Sequence, residues 1–274
     1  MNPIRKIAIL DTTGNFKFER LVQIADAIQI QMNRDVQPIW FVEATVKAFK
    51  TDAEIPTDFW VCNIVNEITE GNNLNGIHWY TGDGENRRPY SKAKYKVFSA
   101  NLQWFEADLT KVISEEIIEK CIDPFGELKF KGANPDPNSQ DGQDVEFLVE
   151  LGDPVQALQN GYYINDVFVT NFIFQSYFYL TKQEGVKYDF LGQFTEPKQL
   201  GEGGYQLYQR AGEWYQAWKI NGIKYFVKQG VPITPNVSNA PKDNTLTIIF
   251  SILGLLLVSV FFIPKLFKNL KIVE

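Results

Sequence analysis

The sequence predicts an α+β fold: a mixed sheet with packed helices, followed by one C-terminal transmembrane helix. Three observations carry this expectation. Strand-like, helical and strand-like runs follow one another at the N-terminus, a regular helix occupies Leu109 to Ile122, and Thr245 to Ile263 reads TLTIIFSILGLLLVSVFFI, nineteen positions without a charge.

Ile7 to Leu10 reads as the first strand, with Asp11-Thr12-Thr13-Gly14 as its turn. Between Phe16 and Met32 the apolar residues Phe18, Leu21, Val22, Ile24, Ala25 and Ile28 recur at helical spacing. Ile39 to Val42 and Trp60 to Val65 are apolar runs of strand length. Strand, helix and strand in succession predict helices packed on a sheet. Gly71 to Pro89, rich in Gly, Asn and charge, reads as a surface excursion turning tightest at Gly82-Asp83-Gly84, and Lys94 to Ala100 as a return to strand.

The helix at Leu109 to Ile122 starts at Asp108 or Thr110 and is stopped by Asp123-Pro124. Gly132 to Gln143 is a loop. Glu146 to Leu151 reads as a strand or a helix start, closed by Gly152-Asp153-Pro154. Gly161 to Phe174 carries two strand-like runs around Asn165-Asp166. Tyr205 to Val227 reads as a β-ribbon turning at Asn221-Gly222. The predicted organisation is therefore a globular domain over 1–229, with an aromatic-rich β subregion at 200–229, and a Pro/Asn-rich linker at 230–244.

Residues 245–264 form the expected membrane helix. Its nineteen uncharged positions span about 28 Å as a helix, close to the hydrocarbon thickness of a bilayer. Thr245, Gly254 and Ile263 mark its start, middle and end, and the small residues Ser251, Gly254 and Ser259 suit contact with another helix. Pro264 ends the apolar run, and Lys265, Lys268 and Lys271 make 265–274 a basic tail. The run Ile7 to Leu10 is too short for the core of a secretory signal. The expected location is a virion membrane or a cytoplasmic membrane. The expected partners are the lipid bilayer and other proteins of an ordered assembly.

The net charge of −6 and the lack of a dense basic stripe argue against nucleic acid as a partner. Cys62 and Cys121 sit among apolar residues and read as buried free thiols. The single histidine, His78, excludes a two-histidine zinc site within one chain and reads as a loop or packing residue beside Trp79. Gly201-Glu202-Gly203-Gly204 lacks the Lys-Ser/Thr of a phosphate loop and reads as a flexible turn. Trp214, Tyr215, Trp218, Tyr225 and Phe226 read as sheet core, with a partner-binding face as the alternative.

One constellation carries chemistry. Glu115 and Glu119, four apart, project from one helix face between Val112 and Ile122. Burial raises the pKa values of such a pair unless a cation is shared. Glu150 or Asp153 supplies a third ligand. The alternative is a solvated acidic face offset by Lys111 and Lys120.

The run Ser114-Glu115-Glu116-Ile117-Ile118-Glu119-Lys120-Cys121-Ile122-Asp123-Pro124 resembles the active helix of a zincin-like metallopeptidase family, S-H-E-x-x-E-x-x-x-D-P. Glu150-Leu151-Gly152-Asp153-Pro154 resembles that family's later E-x-x-D-P element, and Asn165 to Phe172 its N-G-V-x-V-S-D-F stretch. Gly76-Ile77-His78 and Arg88-Pro89-Tyr90 resemble its upstream G-x-H and R-P-Y elements. The resemblance, over residues 76–178, implies a zincin-like fold. It implies Glu115 and Glu119 as first and second metal ligands, Glu116 as general base, and Glu150 or Asp153 as third ligand.

Glu115 stands where that family has histidine. A carboxylate in place of imidazole favours calcium or magnesium over zinc. Three carboxylates leave the site net negative, which opposes deprotonation of a bound water. The expectation is a catalytically degenerate domain, with no resident cofactor or a hard divalent cation. Its role would be that of a membrane-anchored structural or assembly protein, such as a minor virion protein of a lipid-containing virus. The alternatives are a membrane-tethered metal-dependent hydrolase and a tail-anchored cytoplasmic adaptor.

Overall fold

A computed structural model describes residues 4–70, 74–95, 102–139, 144–157 and 159–229. The first sheet has the strand order β2 (Ala44–Phe49), β1 (Arg5–Asp11), β3 (Trp60–Val65), β5 (Arg88–Lys94), β4 (Gly76–Thr81). Its first four strands run parallel; β4 pairs antiparallel to β5 and forms the edge. Parallel strands are covered on both faces and so read as continuous apolar runs. In β1, Ile7, Ala8, Ile9 and Leu10 are all buried.

Helix α1 (Phe18–Ile30) turns Leu21, Ile24, Ala25, Ala27 and Ile28 inward, the face its spacing predicts. It does not stop where the sequence suggests. A π-helical stretch, Gln31–Val36, continues it into α2 (Gln37–Trp40), which ends at Phe41 in the left-handed region, φ 56°. Ile39 to Val42, expected as a strand, is thus the end of a helix and the turn after it. Pro38 stands just past the junction of the π-helical stretch and α2. Trp40 is anchored by donating its indole N–H to Ile173 O at 3.0 Å.

The second sheet is antiparallel throughout, in the order β12 (Ile223–Lys228), β11 (Glu213–Ile220), β10 (Tyr205–Arg210), β7 (Asp144–Leu148), β6 (Lys129–Ala133). It includes the expected ribbon, turning at Asn221-Gly222, both at positive φ. Its aromatic residues pair across strands, with Tyr205 stacked on Trp218 at 4.4 Å and Tyr208 on Tyr215 at 5.5 Å between ring centroids. Hairpin β8 (Gly161–Ile164) and β9 (Val167–Thr170) forms as its Asn-Asp turn predicts, with Asn165 at φ 54°.

Helix α3 (Leu102–Ile122) lies between this hairpin and strands β3, β4 and β5 of the first sheet. Ile113, Ile117, Ile118 and Cys121 are fully buried, and with Phe147 and Val149 from the other side of the chain they belong to one continuous core. Cys62 and Cys121 are buried free thiols, as expected. The helix ends at Asp123, whose carboxylate accepts the amides of Glu127 and Leu128 at 2.9 and 2.8 Å.

The expected fold class requires correction on two points. The body is mixed α/β and mostly sheet, but the strands divide into two five-stranded sheets and a hairpin rather than one mixed sheet. The reason is β6 and β7, which pair with the aromatic ribbon and not with the N-terminal strands. The expected transmembrane helix is not found: among the described residues no helix is long and apolar enough to cross a membrane. The longest, α3, carries Glu106, Asp108, Lys111, Glu115, Glu116, Glu119 and Lys120 along its length. The anchor positions Thr245, Gly254 and Ile263, the linker 230–244 and the tail 265–274 lie outside the described residues.

Candidate metal centre

The acidic face of α3 is not solvated. Glu115, Glu116 and Glu119 are 4, 8 and 4 % exposed. Helical spacing places them on adjoining faces over one turn, and the partners of α3 close around them. Gly152, in the turn after β7, approaches so closely that its amide donates to Glu119 Oε1 at 2.8 Å. A Cβ there would stand 2.5 Å from Glu115 Cγ and Oε1. On the opposite side Gly76, at the start of β4, is packed against Glu116; a Cβ would overlap Glu116 Oε1 and meet Val112 Cγ1 at 2.7 Å. Glycine at both positions is what lets strand and turn close on the carboxylates.

The turn that carries Gly152 also carries Glu150 and Asp153, both buried. It is held from behind by Gly201-Glu202-Gly203-Gly204. Gly201 donates its amide to Pro154 O at 2.8 Å, and Gly204 lies so close to Pro154 O that no Cβ fits. Glu202 accepts the amides of Asn221 and Gly222. This loop is therefore a brace for Asp153, not a ligand cradle.

Strand β4 adds a residue that its Gly/Asn-rich surroundings disguised. His78 points from β4 into the cluster, with its side chain 7 % exposed. Its Nδ1 is 3.6 Å from Glu116 Oε2 and 3.5 Å from Glu119 Oε2, and its Nε2 is 3.7 Å from Glu150 Oε2. The sequence reading of His78 as a loop or packing residue is corrected accordingly, as is the reading of Gly71 to Pro89 as a surface excursion. The missed signal was the run Ile77-His78-Trp79-Tyr80-Thr81, whose aromatic and β-branched residues favour a strand.

The group thus holds five buried carboxylates: Glu115, Glu116, Glu119, Glu150 and Asp153. Lys111 supplies an ammonium, 3.3 Å from Glu115 Oε2, and also donates to Gln156 O at 2.9 Å. Lys120, on the other side of α3, donates to Val61 O and Ser91 Oγ at 2.9 and 2.8 Å, so it serves the first sheet. Glu115 Oε1 and Glu150 Oε2 are buried without a hydrogen-bond partner. Desolvation, with repulsion from Glu119 adding to it, pushes the Glu115 carboxyl up to about 7 and Glu116 up to about 8 against the opposing pull of Lys111 and His78. Burial likewise raises Glu150 and Asp153 well above the carboxylate range. For His78, burial acts to lower the pKa, but the field of Glu150 and the contacts with Glu116 and Glu119 raise it well above its usual value.

Among the described residues two groups of side chains can hold a metal ion: Glu115, Glu119 and Asp153, and His78, Glu116 and Glu119, with ligand atoms in each group within 4.8 Å of one another. The first group comprises three of the four ligands expected from the sequence. The fourth, Glu150, stands behind the His78 ring. Glu116, expected as a general base, faces His78. A cleft of about 180 Å³ opens onto the cluster, lined on one side by His78, Glu116, Glu119, Glu150 and Asp153 and on the other by Tyr205, Leu207, Gln216 and Gln229 of the second sheet and the residue after it.

Compared with protein-family models, curated proteins and solved structures, the chain matches none.

Proposed function

We propose that this chain binds a hard divalent cation, calcium or magnesium, at Glu115, Glu119 and Asp153, and that it serves as a structural or assembly protein rather than a peptidase. The observation that carries the proposal is the burial of five carboxylates beside one paired ammonium, with Glu115 Oε1 left without a partner. Buried anions require pairing, protonation or a metal ion. An all-oxygen ligand set suits calcium or magnesium better than zinc. Three carboxylates around a divalent ion give a net negative site, which disfavours the acidic water a peptidase needs.

A second reading is favoured by one specific observation. The cleft reaches the cluster from solvent, with Glu116 and His78 in its wall. In that reading the chain is a metal-dependent hydrolase, and Glu116 takes the proton of a metal-bound water.

The test is calorimetric titration of the chelator-stripped full chain with calcium and with magnesium, alongside a peptide-hydrolysis assay. Stoichiometric binding without hydrolysis is expected. Absence of cation binding would overturn the proposal. Hydrolysis abolished in Glu116→Gln would replace the structural reading with the enzymatic one.

A further inference from the structure

We infer that the centre takes two divalent cations bridged by Glu119, the second held by His78, Glu116 and Glu119. This rests on the cation-binding reading above and adds to it a site with a nitrogen ligand, suited to a first-row transition ion.

Four observations converge on it. The two ligand groups are distinct apart from Glu119, which belongs to both. A carboxylate offers about four lone-pair positions, enough for two ions and the Gly152 amide that Oε1 already accepts. Next, the distances from His78 Nδ1 to Glu116 and Glu119, 3.6 and 3.5 Å, exceed the roughly 2.7–2.9 Å of a charge-assisted hydrogen bond. They are near the ~3.4 Å that separates two ligands of a tetrahedral ion with bonds of about 2.1 Å.

The other nitrogen of His78 faces a carboxylate. A metal-bound imidazole orients itself by donating its remaining N–H to a carboxylate. Glu150 Oε2, buried and without a hydrogen-bond partner, faces His78 Nε2 at 3.7 Å, beyond hydrogen-bond distance but on the side where that N–H would donate. Finally, five carboxylates opposed by Lys111 leave four negative charges when His78 is a neutral ligand. One divalent ion halves that excess; two cancel it. Glu115 Oε1, the other unpartnered oxygen, belongs to the first group, whereas Glu150 Oε2 is no member of either group and stands beside His78.

Manganese(II) is the appropriate probe, because it accepts both carboxylate and imidazole ligands and reports its neighbours by electron paramagnetic resonance. The full chain is stripped with chelator, equilibrated with manganese, freed of excess and assayed for bound metal. Two manganese ions per chain with a spin-coupled signal are expected, falling to one uncoupled ion in His78→Gln and in Glu115→Gln. A single manganese ion in the native chain, unchanged in His78→Gln and lost in Glu115→Gln, would overturn the second site and leave the first reading intact. No bound manganese would overturn both. Circular dichroism checks that each variant is folded; should His78→Gln fail, Glu116→Gln removes a ligand of the same site and is expected to lower the stoichiometry to one.

Discussion

Gly152 donates its amide to Glu119 Oε1 at 2.8 Å, and this contact ties the turn after β7 to the middle of α3. It fixes the orientation of the one carboxylate common to both ligand groups. It also brings Glu115 and Asp153 to the same side, because the turn can approach only where it lacks a side chain.

Gly152→Ala is therefore expected to push Glu115 aside. Overpacking of this kind destabilises by about 1–3 kcal/mol. Displacement of the backbone amide from Glu119 as the turn backs away is expected to weaken cation binding roughly 10-fold or more, as for other contacts that hold a ligand in place. Urea denaturation and calorimetric titration of the variant measure the two effects separately.

The pH dependence of stability has a definite sign. In the cation-free chain burial pushes Glu115 up to about 7 and Glu116 up to about 8, from an ordinary value of 4.5. The folded state then holds more protons than the unfolded state between these values, so stability falls as pH rises from 4.5 towards 8, and the raised Glu150, Asp153 and His78 act in the same sense. A cation at the first site requires Glu115 ionised, and one at the second requires Glu116 ionised. Cation affinity is thus expected to rise over the same interval, with protons released on binding. Melting temperatures at pH 5, 6.5 and 8, in chelator and in cation, check both trends; a cation-free protein most stable at pH 8 would contradict them.

Lys111→Met separates stability from binding. The ammonium lies 3.3 Å from Glu115 and donates to Gln156 O, so its removal strands a buried carboxylate and a carbonyl. The cation-free protein is expected to lose about 3 kcal/mol. Cation affinity is expected to rise, because a competing positive charge has gone. A parallel fall in both quantities, measured by denaturation and titration, would count against Lys111 as a counter-ion to the site.

The helical half of this centre was legible in the sequence because spacing alone aligns Glu115 and Glu119 on one face of α3, while Glu116 was named by the resemblance. What spacing could not supply was burial. Charged residues around a helix look solvated until the hairpin β8–β9 and the turn at Gly152 are placed upon it. His78 was hidden for a related reason: the Gly/Asn-rich flank suggested a loop, yet β5 offers β4 a complete antiparallel partner from Gly76 to Thr81. Strand β2, Ala44–Phe49, went unread because the helix before it runs on through a π-helical stretch and consumes the apolar residues that resembled a strand. The aromatic ribbon and the Asn165 hairpin were readable because their turns carry their own signals, whereas its pairing with β7, which closes the second wall of the cleft, is a long-range choice that no local pattern records.

The most direct test of the central claim is anomalous diffraction from crystals of the chain equilibrated with manganese. The account predicts a peak within bonding distance of Glu115, Glu119 and Asp153. Crystals so equilibrated at pH 8, with no anomalous peak among these carboxylates, would contradict it.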